Sequence, residues 1–185
     1  MQRILVERAR NGDEEAFASL ARAAGDRLLA IAYRILRDLG LAEDAVQQTL
    51  VLAWRDLPSL RDADAFDAWL HRLLVNACYR EASRGRRWSA NVRVLPVDPP
   101  AGPDEYAAVV DRDQLERGFR RLPAEQRAVL VFHHYLGMTL AEVADQLGVP
   151  LGTVKSRMFY ATNALRAAVE ADLRAPAEPT GERMA

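Results

Sequence analysis

Between residues 96 and 103 the chain carries four prolines in eight positions, inside the stretch Val94-Leu-Pro-Val-Asp-Pro-Pro-Ala-Gly-Pro-Asp-Glu105. A proline ring fixes φ and removes a backbone donor, so no helix runs through this segment and an extended, stiff connector is favoured. Helical patterning continues on both sides. The chain therefore divides into a domain over residues 1–93, a linker over 94–110 and a smaller domain over 111–173. Residues 174–185, with two prolines and no apolar periodicity, read as a disordered tail.

Both blocks read as all-α. In the first, Asn11-Gly12-Asp13 makes a turn and an N-cap, after which Ala16, Phe17, Leu20, Leu28, Ile31, Ala32 and Ile35 recur at helical spacing. A further helix spans Leu41 to Leu57, with Val46, Leu50, Ala53, Trp54 and Leu57 as its apolar stripe and Asp44, Gln47, Gln48 and Arg55 on its other face. Asp64 is the expected cap of a helix from Ala65 to about Ser83. That helix turns Phe66, Trp69, Leu70, Leu73 and Ala77 inward and ends in the arginine-rich SRGRR of residues 83–87. With Arg80, the arginines at 84, 86 and 87 form the densest cationic patch of the chain.

The second block holds four short helices: Asp113 to Arg121, Pro123 to Leu136, one opened by a Thr139-Leu-Ala-Glu142 capping box and stopped at Gly148, and one beginning after Pro150. The last two, joined by Gly148-Val149-Pro150, have the layout of a helix-turn-helix. Taking Val154 as inward and stepping 100° per residue puts Met158, Ala161 and Leu165 on the buried stripe. Gly152, Ser156, Phe159, Tyr160 and Asn163 then face outward, flanked by Thr153, Lys155 and Arg157. The bare pattern suits either a DNA-reading helix or a structural corner.

Charge narrows the choice. With 25 cationic and 26 acidic residues the net charge is −1, so polyanion binding must be local, and Lys155 is the sole lysine. One cysteine and three histidines supply neither a disulfide framework nor a zinc ligand set. His71 and Cys78 lie two helical turns apart, and the rings of His133 and His134 point in different directions, one packed and one exposed. Neither pair meets catalytic geometry, so no enzyme, metal or cofactor is expected. No secretory signal or membrane-length apolar run is present, and the expected location is cytoplasmic.

Residues 121–165, RLPAEQRAVLVFHHYLGMTLAEVADQLGVPLGTVKSRMFYATNAL, resemble region four of the sigma-70 transcription factors, especially the extracytoplasmic-function (ECF) group. The first block, in GDEEAFASLARAAGDRLLAIAYRIL, AEDAVQQTLVLAWRDL and AFDAWLHRLLVNACYREASRGRR, is similar to region two. The resemblance implies a factor that joins core RNA polymerase and directs it to promoter DNA, region two melting the minus-10 element and region four binding the minus-35 element. Its implied partners are the polymerase clamp helices, promoter DNA and an anti-sigma protein, with no membrane and no small-molecule substrate.

Carried onto this chain, the resemblance assigns Asp44, Gln47 and Gln48 to polymerase binding, although relatives commonly pair Gln with Glu where this chain has Gln47-Gln48. It assigns Arg61, Asn76, Arg80, Arg84, Arg86 and Arg87 to the minus-10 element, and Gly152, Thr153, Lys155, Ser156, Arg157, Phe159 and Tyr160 to the minus-35 element. Trp69 reads as core rather than as a stacking wedge. Phe159 and Tyr160 stand where relatives carry basic residues, facing either thymine methyls or a protein. The rival reading is a stand-alone helix-turn-helix regulator that works without polymerase.

Overall fold

The computed structural model describes residues 1–91 and 115–174, except for the side chains of 85–91 and 171–174. The proline-rich stretch 94–110 and the tail from 175 onward therefore lie outside the described residues. Eight helices, and no strand, make up the described chain: α1 (Gln2–Arg10), α2 (Glu14–Leu36), α3 (Leu39–Asp56), α4 (Phe66–Asn91), α5 (115–121), α6 (Ala124–Leu130), α7 (Leu140–Leu147) and α8 (Leu151–Arg174).

Local chemistry sets the boundaries of the first block. The carboxylate of Asp13 accepts from the Ala16 amide and starts α2, and Asp38 does the same for α3 through Leu41. Before α4 the chain makes two 3-10 turns, Leu57–Ser59 and Ala63–Ala65, and the cap is Asp62, which accepts from Asp64 N. The expected role of Asp64 thus falls two residues earlier, because the tighter turn brings the Asp62 carboxylate over the free amides. α4 also runs on to Asn91, so the SRGRR stretch is helical rather than terminal.

α3 is rotated from its expected stripe. Ala42, Ala45, Thr49 and Ala53 are its buried residues, whereas Trp54 is 38 % exposed. Small side chains let α3 lie close between α2 and α4, and the Thr49 hydroxyl is satisfied by donating to the Ala45 carbonyl at 2.7 Å. Trp69 packs partly buried against the core, as its stripe predicts.

In the second block α6 widens into a π turn, Val131–Tyr135, instead of continuing as an α-helix to Leu136. Thr139 and Glu142 form the complete capping box of α7. Gly148 ends α7 at φ 65°, the left-handed conformation that glycine tolerates best. Val143, Ala144 and Val154 fill the corner between α7 and α8. One continuous buried cluster, from Val6 to Val154, runs through both blocks, with α6 and α7 seated on α2 and α4.

Candidate nucleic-acid and partner interface

The N-terminal turns of α8 are presented as the spacing requires. Val154 and Ala161 are fully buried and Met158 and Leu165 half-buried, so the helix rests on the expected stripe. Gly152, Lys155, Ser156, Phe159 and Tyr160 are exposed, and Thr153 is half-buried. Phe159 and Tyr160, 61 % and 62 % exposed, hold each other edge to face with centroids 5.6 Å apart. The result is a helix end with one cation, a hydroxyl and an apolar edge toward solvent, able to meet phosphates, base edges or methyl groups.

Arg157 behaves differently. It is half-buried, with guanidinium Nη1 shut away from solvent against α4, where it neighbours Tyr79. Burial pushes the Tyr79 hydroxyl up to about 12, and the positive charge of Arg157 opposes that rise. A flanking cation of the outward face is thus turned into the contact between the blocks.

Several further contacts make that docking specific. The exposed Arg72 of α4 donates from Nη2 to the Asp145 carbonyl at 2.8 Å and from Nε to the Gln146 carbonyl at 3.3 Å, capping the C-terminal end of α7. Gln146, 6 % exposed, returns a hydrogen bond from its amide to the Ala68 carbonyl. Arg34 lies over the Tyr135 ring at 3.9 Å, and the His71 ring meets Phe132 edge-on. Arg37 pairs with Glu116 of α5. Burial pushes the Glu116 carboxyl up, yet the hydrogen bonds from Arg37 and Arg120 outweigh it and hold the group below its ordinary value.

The remaining predicted residues gather on the first block. Arg61 is exposed in the turn before α4; Asn76, Arg80 and Arg84 recur every four residues along one exposed line of that helix. Arg86 and Arg87 fall on the same helix, but their side chains lie outside the described residues. Asp44, Gln47 and Gln48 share a shallow groove between α3 and α4 with Val51, Leu52, Arg80 and Arg84. Polymerase-assigned and minus-10-assigned residues therefore adjoin. Asp44 and Gln47 are exposed, whereas Gln48 is half-buried and its Nε2 donates at 2.6 Å to Glu81. Glu81 is 2 % exposed and also accepts from Arg84 at 3.0 Å. Glu81 is not among the residues predicted from the sequence, although counting on from Leu70, Leu74 and Ala77 puts this acid on the buried line of α4.

His71 and Cys78 are buried in the core. Burial, with help from Arg27, lowers the His71 pKa despite Asp67, and burial pushes the Cys78 thiol up to about 12. His133 is half-buried with Nδ1 2.6 Å from the Met138 carbonyl, while His134 is exposed. None of the described helices is long and apolar enough to cross a membrane.

Family models for sigma-70 region 2 and sigma-70 region 4 match residues 20–88 and 112–165 respectively. The chain is 36 % identical over 163 residues to the ECF RNA polymerase sigma factor SigL of Mycobacterium tuberculosis, covering 84 % of this chain and 92 % of that protein. It is 29 % identical to the RNA polymerase sigma-H factor of Pseudomonas aeruginosa over 183 residues, 92 % of this chain and 94 % of that one. Among solved structures, CnrH in complex with the cytosolic domain of CnrY is similar at TM-score 0.63 and 27 % identity, over 92 % of this chain and 98 % of that one. The sigma factor RpoE of Bartonella quintana, bound to the anti-sigma factor NepR, is similar at TM-score 0.60 and 27 % identity, over 84 % and 98 %.

Proposed function

The chain belongs to the ECF sigma factors of the sigma-70 family, and from that premise we propose how its residues divide the work of promoter-specific initiation. Residues 1–93 act as the region-two unit and 111–173 as the region-four unit, joined through residues 94–110. Asp44, Gln47 and Gln48 dock on the clamp helices of core RNA polymerase. Arg61, Asn76, Arg80, Arg84, Arg86 and Arg87 take the melted minus-10 strand, the arginines through phosphates. Gly152, Thr153, Lys155, Ser156, Arg157, Phe159 and Tyr160 meet the minus-35 duplex.

The observation that carries this reading is the groove between α3 and α4. It sets the amide-rich face of α3 beside Arg80 and Arg84, so that a surface seated on α3 delivers the DNA strand to α4. The protein adds binding and orientation while the polymerase performs the chemistry, and its place of work is the cytoplasm, with the polymerase. Because Arg157 is engaged against α4, the two units separate before all of the α8 face reaches DNA. An anti-sigma protein that favours the docked form would hold the factor silent, in keeping with the similar sigma factor RpoE of Bartonella quintana, whose structure was solved with the anti-sigma factor NepR.

Run-off transcription with core polymerase on a promoter library, with and without this protein, tests the reading. Specific initiation that depends on the protein is expected. A stable dimer that binds palindromic duplex by itself and leaves initiation unchanged would favour the stand-alone regulator and refute the proposal.

A further inference from the structure

We propose that Glu81 is a positioning residue that fixes which end of the Gln48 amide faces the polymerase; this rests on the docking role of α3 given above. Glu81 is buried on α4, pairs with Arg84 at 3.0 Å and receives Gln48 Nε2 at 2.6 Å. A carboxylate held by a guanidinium only accepts hydrogen bonds, so the amide must turn its NH2 inward. The Gln48 carbonyl oxygen is the end left for the groove. One turn away on the same helix, the exposed Asp44 is also an acceptor. The mouth of the groove therefore offers two acceptors at i and i+4 spacing, which suit a donor-bearing partner side chain such as an arginine or lysine.

The same geometry explains why an amide stands at position 48. A glutamate there would set two carboxylates against each other over a hydrogen-bond distance, and like charges that close cannot both ionise comfortably. Glutamine keeps an outward acceptor while donating inward.

The test uses the full-length protein and core RNA polymerase from its own host, with affinity read by competition binding. Glu81→Gln lets the Gln48 amide flip, and Gln48→Glu creates the carboxylate clash; each is expected to weaken core binding about tenfold. In the exchanged pair, Gln48→Glu with Glu81→Gln, the amide at 81 donates to the acid at 48 and still accepts from Arg84. Binding should then return to within about threefold of the original, a rescue that loss of folding in the single variants would not produce. Full affinity in Glu81→Gln, or a doubly changed protein as weak as the two losses combined, would overturn the positioning role. Asp44→Ala separates the two levels. If it weakens core binding while Glu81→Gln does not, only the positioning role falls; if Asp44→Ala and Gln47→Ala both bind at full strength, the docking reading falls as well.

Discussion

Replacing Arg72 with alanine should loosen the docking of the helix-turn-helix on α4 without unfolding either unit. The side chain makes two hydrogen bonds to main-chain carbonyls at the end of α7, at 2.8 and 3.3 Å. A charged donor contributes about 1.5–3 kcal/mol when shielded, but Arg72 is exposed and its second bond is long, so the pair is worth about 1–2 kcal/mol. That raises the separated fraction about 5- to 30-fold. Single-molecule energy transfer between dyes on cysteines introduced at Arg55 and Arg166, both exposed, reads that fraction. The contact is to the Asp145 carbonyl and not its carboxylate, so Asp145→Ala serves as a control that leaves the fraction unchanged. Equal separated fractions in wild type and Arg72→Ala, or an equal rise in Asp145→Ala, would refute this account of the contact.

Gly148→Ala places a methyl in open space but forces alanine to φ 65°, so it should cost about 1–2 kcal/mol of stability, seen as a lowered denaturant midpoint, with Gly148→Asn milder. Thr139→Ala removes the hydroxyl that accepts from the Glu142 amide and should cost about 1 kcal/mol in the same measurement. Hydrogen bonds from the Thr139 backbone and side chain hold the Glu142 carboxyl below its ordinary value. Its contribution is therefore full above the unfolded glutamate pKa and is lost as pH falls through the lowered folded value. Thermal scans of wild type against Glu142→Gln should converge in acid and separate above about pH 5. Cys78, buried with its thiol raised to about 12, should resist iodoacetamide at pH 8 until the protein is unfolded, which mass spectrometry checks directly.

What was legible in the sequence is local. The Thr139 box, the Gly148 stop and the Val154 stripe depend on residues within a few turns of one another, and the structure realises each of them. What the sequence leaves out shares a physical cause as well. Periodicity puts the stripe of α3 on its largest apolar residues, yet helices that approach closely bury their smallest ones, which is why Ala45 and Thr49 are inside while Trp54 is partly out. Its polar α3 neighbours make Gln48 look outward-facing; only α4, thirty-three residues away, supplies the Glu81 that draws it in. The contact of Arg157 with α4 is invisible in the sequence because nothing near it in the chain reveals Tyr79. Periodicity reports which face of a helix is polar, whereas the partner of a polar group is a tertiary fact.

The near balance of charge then acquires a structural meaning. A chain with 25 cations looks equipped to grip DNA unaided, but Arg34, Arg37, Arg72 and Arg157 are engaged in the contact between its own two units. Arg84 is paired within α4 itself, with Glu81, which leaves its side chain 72 % exposed and open to a phosphate. On the N-terminal turns of α8 this leaves Lys155 as the exposed cation, beside two aromatic rings, while the exposed Arg166 lies about three turns further along the helix. Phosphate contacts set affinity and its salt dependence, so the minus-35 role proposed for this face entails weak binding that relies on shape and apolar contact. A weak reading helix is useful only when something else brings it to the promoter. In the function proposed above, docking on polymerase supplies that force, and separation of the units frees Arg157 for the DNA-facing side of α8.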